Sequence, residues 1–178
     1  LLISGDRGLA GSYNSSIIRK AGDLLNSLEG EKAILPVGKK GGQFFGKRGY
    51  EVLDLVTLPT AGARFEDAVE VCNRVIDLYT SGEVDSVSIL YAKFYSPIRQ
   101  VPTVVQLLPI EPPSSDEVET TGPSKDYKFE PDAESLLNFL LPKYVLTVIF
   151  QALLEASASE HGARMTAMTS ATDNAGKM

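Results

Sequence analysis

The stretch LLISGDRGLAGSYNSSIIRKAGDLL, residues 1–25, decides the fold. A short apolar run stops at Gly5, as a buried strand does, and Ile17, Ile18, Ala21, Leu24, Leu25 and Leu28 then recur at helical spacing up to Gly30. The unit is strand, glycine loop, helix. It returns twice. "AILPVG" precedes a glycine-flanked segment carrying Phe44 and Phe45, and "YEVLDLVTL", ended by Pro59, precedes a helix predicted from Phe65 to Thr80 with Ala68, Val71, Cys72, Val75 and Leu78 along one side. Three such units predict a largely parallel sheet covered on both faces. After Gly82 the rhythm changes, because "VSILYAKFY" and "QVPTVVQLLPI" are separated only by "SPIR", too short for a crossover helix and suited to a hairpin. Pro102 places the second of these strands at an edge.

The chain has 178 residues, enough for one domain with a sizeable core. Its 17 Lys and Arg against 23 Asp and Glu give a net charge of -6, which argues against a surface that wraps nucleic-acid phosphates or lies on anionic lipid. One cysteine, Cys72, forms no internal disulfide, and one histidine, His161, leaves no zinc-ligand cluster. Reducing surroundings and no structural metal are expected. The longest apolar run, "YVLTVIFQALL", is about half of the ~20 residues a bilayer helix needs. The chain opens inside an apolar strand and stops with a helical pattern still running, so an excised or processed fragment is expected.

The segment "EPPSSDEVETTGPSKD", residues 111–126, holds one aliphatic residue and an acidic bias, and a mobile loop is expected there. "YKFEPD" follows as a short strand or extended lead-in, then "DAESLLNFLL", a capped helical turn or two broken at Pro142. From Lys143 to Ala175 no proline interrupts, about 33 residues or roughly 50 Å of helix, longer than the ~40 Å breadth of a compact domain of this size. The helix must protrude. Its later part, "SEHGARMTAMTSATDNA", carries almost no bulk. Leu154, Ala158, His161, Met165, Met168, Thr172 and Ala175 advance by threes and fours, while Ala156, Ala163, Ala167 and Ser170 mark the opposite side. Both faces call for partners, and small side chains bury too little area to hold such a helix alone. No nucleophile is placed with His161, so it reads as an interface residue rather than a catalytic base.

The loop from Gly5 to Asn14, "GDRGLAGSYN", sits where nucleotide-binding folds hold phosphate. Its glycines, Gly5, Gly8 and Gly11, do not have dinucleotide-fingerprint spacing, and the Lys followed by Ser or Thr of a phosphate loop is absent. A structural turn fits better, with Asp6 and Arg7 placed to pair locally and Ser12 to help cap the helix. A nucleotide-dependent enzyme or a flavodoxin-like binding module using this loop remains the alternative. Lys39, Lys40, Lys47 and Arg48 form a basic cluster that reads first as a solvated helix face.

Two stretches, "SGDRGLAGSYNSSIIR" and "LLPKYVLTVIFQALLEASASEHGARMTAMTSATDNA", together resemble the gamma subunit of the F-type proton-translocating ATP synthases, in order and separation as well as in residues. Ser159, Glu160, Arg164, Met165, Ala167, Met168, Ala171, Thr172, Asn174 and Ala175 stand where that family's pattern has them, and Gly162 replaces an alanine. The resemblance implies an α/β, Rossmann-like three-layer domain with a mixed, mainly parallel sheet, covering residues 1–110 and 127–141. It implies that residues 142–178 start a C-terminal stalk helix. The implied role is a rotating central stalk that couples proton flow to ATP synthesis or hydrolysis, peripheral on the cytoplasmic face of the bacterial plasma membrane, with the organelle equivalent as the alternative. Its implied partners are the alpha and beta catalytic subunits, the epsilon subunit, the membrane proton ring and the family's own N-terminal helix, which would precede Leu1. No catalytic residues, cofactor, metal, nucleic acid or direct membrane insertion are implied. Ala158, His161, Arg164, Met165, Met168, Thr172, Asn174 and Ala175 are the implied partner interface. The cysteine pair of the chloroplast type is missing, so thiol control is not expected.

Overall fold

The computed structural model describes residues 1–57, 62–110 and 132–178. The elements run β1 (Leu2–Ile3), α1 (Tyr13–Ser27), β2 (Ala33–Ile34), β3 (Pro36–Val37), α2 (Lys39–Gly46), β4 (Glu51–Val52), α3 (Phe65–Thr80), β5 (Val87–Ser96), β6 (Arg99–Leu108) and α4 (Ala133–Lys177). The main sheet has the order β3-β1-β5-β6, in which β1 runs parallel to β3 and β5 while β5 and β6 form the antiparallel hairpin. The segment read as one strand, "AILPVG", is shared between two sheets: β2 pairs in parallel with β4, and β3 with β1. Pro102 lies in β6, the edge strand, as its missing N–H requires. The loop and lead-in predicted over residues 111–131 lie outside the described residues.

Alternation along the strands splits the core. Ile3, Val37, Ile89, Tyr91 and Leu107 face one way, onto Ala68, Val71, Cys72 and Val75 of α3 and Val145, Ile149, Ala152 and Leu153 of α4. Leu2, Leu90 and Ala92 face the other way, onto Tyr13, Ile17 and Ala21 of α1 and Phe45 of α2. The result is three layers. Gly38, directly after β3, has φ 95°, and a Cβ there would fall 1.9 Å from the Ser4 carbonyl oxygen. Only glycine lets the ends of β1 and β3 come this close.

Two local expectations need correction. Ser12 stands at the N-cap of α1, but its hydroxyl makes no capping bond; its carbonyl instead accepts from the Ser16 backbone N–H at 2.9 Å and from the Ser16 hydroxyl at 2.6 Å. The helix expected to break at Pro142 does not break, and α4 is continuous from Ala133, so residues 133–141 belong to the long helix. A proline removes one N–H and crowds the turn before it. Here that turn, around Asn138, is exposed, so its freed carbonyl is open to water. The first turns are also secured, by Asp132 accepting from the Ser135 N–H at 2.8 Å and by the Lys143 ammonium 3.7 Å from the Phe139 ring centroid. At 45 residues α4 is about 68 Å long.

Candidate functional site: the seat of the long helix

In open α/β sheets ligands bind beyond the carboxyl ends of the strands, where the strand order turns from one side of the first strand to the other. Here that place lies past Ile3 and Ser4, with β3 on one flank and β5 on the other. A cavity of about 290 Å³ remains there, lined by Ser4, Asp6, Arg7 and Gly38 from the strand ends and by Ser157, Glu160, His161 and Arg164 from α4. The long helix itself is laid across the crevice. Below it, Val145 to Ala156 pack on the α3 face of the sheet, whereas beyond it Ala163 packs with the α1 face.

The glycine loop is the saddle for this crossing. The Gly5 N–H is taken by the Asn14 side-chain oxygen at 2.8 Å, and the Lys39 N–H by the Asp6 carboxylate at 2.9 Å. The Asn14 amide in turn donates to the Arg7 carbonyl at 3.1 Å. A Cβ built on Gly5 would meet the Glu160 carboxylate at 3.1 Å, and one on Gly11 the Ala167 methyl at 3.8 Å. Of the three glycines, Gly5 is the one the helix closes to a side chain; Gly8 has no neighbour within 4 Å, and Gly11 answers to its positive φ of 53°. The Glu160 carboxylate stands over Gly5 and is paired with Arg164.

Charged groups at the crossing are paired inside the protein. Arg164 forms a salt bridge with Glu160 one turn away, and both side chains are largely covered. Tyr13, the buried first residue of α1, donates its hydroxyl to the Ala156 carbonyl at 3.2 Å. Burial, with Glu160 nearby, pushes the Tyr13 phenol far above its ordinary value, so it stays a donor at all physiological pH. Among the described residues no group of three His, Cys, Asp or Glu is placed to hold a metal ion.

The structure divides the predicted interface residues. Ala158, His161, Met165, Met168, Thr172, Asn174 and Ala175 are exposed, with Met165 at 56% and Met168 at 41%. Leu154, on the same seam, is 45% exposed. Arg164 differs, since it turns to Glu160 and the cavity. The opposite seam meets the domain: Ala156 is buried, Ala163 and Ala167 are half-buried, and Ser170 lies beyond the contact. Sequence reading missed Tyr13, Glu155 and Ser159. The available signal was position alone, Tyr13 closing the glycine loop and Ser159 interrupting a run of alanines on the inward face.

These features define a class before any comparison: an α/β domain whose ligand crevice is given over to anchoring one long, protruding helix. A sequence-family profile described as ATP synthase matches residues 1–178. The ATP synthase gamma chain of Brevibacillus brevis is 44% identical over 182 residues, covering 100% of this chain and 62% of that one. That of Moorella thermoacetica is 44% identical, covering 100% of this chain and 61% of its own. The chain therefore spans about three fifths of the curated relatives it matches. Among solved structures, the central stalk and c-ring of the Tetrahymena thermophila mitochondrial ATP synthase matches with TM-score 0.72 and 27% identity over 96% of this chain and 74% of the other. The rotor of the Euglena gracilis enzyme, at 17% identity, shares the fold with TM-score 0.69 over 97% of this chain and 65% of its own. The chain belongs to the ATP synthase family, among its gamma chains.

Proposed function

We propose that the protein containing this chain is the central-stalk rotor subunit that couples transmembrane proton flow to ATP synthesis or hydrolysis. The observation that carries this is α4: it is anchored across the α/β domain by one seam and leaves Leu154, Ala158, His161, Met165, Met168 and Thr172 uncovered on the other. That spacing fits a second long helix, and the N-terminal helix of the family is the mate proposed for it. The α/β domain is then the foot, and the helix leads from it toward the alpha and beta subunits.

The opposite end of α4 supports the foot assignment. Leu137, Phe139, Leu140, Leu141 and Tyr144 are all exposed, an apolar surface suited to the membrane ring and the epsilon subunit. By length and composition α4 holds a window apolar enough to cross a membrane, with mean hydropathy 1.6. Insertion would strip Val145, Ile149 and Leu153 from the core, where they are at most 2% exposed. Peripheral attachment on the cytoplasmic face of a bacterial membrane is therefore the reading proposed, with no cofactor and with catalysis left to other subunits.

Affinity isolation of the full-length protein from mildly solubilised native membranes tests this. Recovery in a large ATP-hydrolysing assembly with alpha, beta and ring subunits is expected. Recovery as a small soluble protein without them would overturn the reading.

A further inference from the structure

Helix α4 meets three backbone polar groups of the β5–β6 hairpin, the Ala92 carbonyl, the Phe94 N–H and the Pro97 carbonyl. Leu90 turns its backbone N–H to the Leu1 carbonyl, so the Ala92 carbonyl, two residues on, points to the same side of β5, past the end of β1. The Ser159 hydroxyl, fully buried at 0% exposure, donates to it at 2.8 Å. Between Phe94 and Ser96 the register shifts, and the Phe94 N–H goes to the Glu155 carboxylate at 3.2 Å. Gln151 holds that carboxylate from one turn back, at 3.0 Å. At the turn, the Pro97 carbonyl accepts from the Thr166 hydroxyl at 3.0 Å and from Gln100, which braces the turn, at 2.6 Å.

Glu155, Ser159, Gly162 and Thr166 lie on one face of the helix at steps of four, three and four. Gly162 is the member without a side chain. A Cβ there would stand 3.1 Å from Pro97 Cα and 3.4 Å from the Phe94 ring, so the bare backbone admits the turn against the helix. Glycine is disfavoured inside helices and needs such a reason.

We infer that the β5–β6 hairpin is a keyed latch that fixes the axial and rotational register of α4 on the α/β domain, with Gly162 as the residue that admits it. Apolar packing tolerates small slides, because one methyl contact replaces another. Directional bonds to backbone atoms do not. A slip of one helical turn, about 5.4 Å, would break all three together and leave the buried Ala92 carbonyl without its donor. Resting on the rotor reading, the latch is also the joint at which torque passes from foot to helix.

The test uses the full-length protein in its native assembly. One variant carries E155A, S159A and T166V, which remove the keys; a second, G162L, forces the turn away; E155Q retains an acceptor for the Phe94 N–H. Amide exchange of Phe94 and of residues 159–167 is expected to accelerate at least tenfold in the first two and to stay near the parent rate in E155Q. Protons pumped per ATP hydrolysed are expected to fall several-fold in the first two while hydrolysis continues. Unchanged exchange in both the triple variant and G162L would overturn the latch. Faster exchange with unchanged coupling would overturn its role as the torque joint. Should the parent not associate with ATPase subunits, the rotor reading fails, whereas the exchange measurement still decides whether the latch exists.

Discussion

Helix α4 is two helices in one stretch of backbone. Between Val145 and Ala156 it is held by Val145, Ile149, Ala152, Leu153 and Ala156, all at most 2% exposed and packed on α3 and the sheet. From Ser170 to Met178 every residue is exposed, and most are small. The lower half is helical because folding buries its stripe. The upper half has no such support within this chain, and isolated helices of this length are marginal in water. Helical structure in α4 therefore has two physical meanings: a consequence of packing below, and a surface prepared for packing above.

The largest effect should separate the halves outright. Ile149→Ala and Leu153→Ala are each expected to cost about 2–5 kcal/mol in denaturant unfolding, through lost burial and the cavity left behind. Met165→Ala and Met168→Ala should stay within about 0.5 kcal/mol, as exposed positions do. Equal costs in the two halves would collapse the contrast.

Smaller effects probe the boundary. Tyr13→Phe removes the hydroxyl that holds Ala156, and about 1 kcal/mol of stability with it, measurable in the same unfolding experiment. The platform beneath the lower half has its own acid sensitivity. Burial works to raise the Asp67 carboxyl, but the Arg64 backbone N–H at 2.7 Å and the Arg64 guanidinium at 3.2 Å together bring it below its ordinary 3.8. A depressed carboxylate stabilises the fold above that ordinary value, and the contribution is lost as pH falls through the lowered one. Asp67→Asn should flatten this part of the acid limb of a stability-versus-pH curve; an unchanged limb would remove Asp67 from the account.

The least effect on this chain is expected from Met165→Asp combined with Met168→Asp. Domain stability should be unchanged, while the full-length protein should assemble less well into its complex, as read by subunit recovery. Normal assembly would show that the exposed seam is not an interface.

Periodicity made most of this legible. α3 runs from Phe65 to Thr80 as its apolar spacing requires, and the hairpin follows from a linker too short for a crossover. Division of "AILPVG" between two sheets was not legible, because pairing partners are a tertiary choice made around Gly38. Continuity through Pro142 was not legible either, since a proline signal carries no information about whether the turn before it faces water. At the site, the spacing along α4 gave two seams, and the structure leaves Leu154, Ala158, His161, Met165 and Met168 of one exposed while Ala156, Ala163 and Ala167 of the other meet the domain. The latch could not be read, because its partners on the hairpin are one backbone N–H and two backbone carbonyls whose availability only the sheet register and the turn reveal.

Amide hydrogen exchange along α4, compared between this chain alone and the full-length protein in its assembly, tests the central claim most directly. The account predicts slow exchange at residues 145–156 in both, with residues 168–177 exchanging near unprotected rates in the isolated chain and becoming strongly protected in the assembly. Equal exchange of residues 168–177 in the two states would contradict it, since the upper half would then have no partner to explain its sequence.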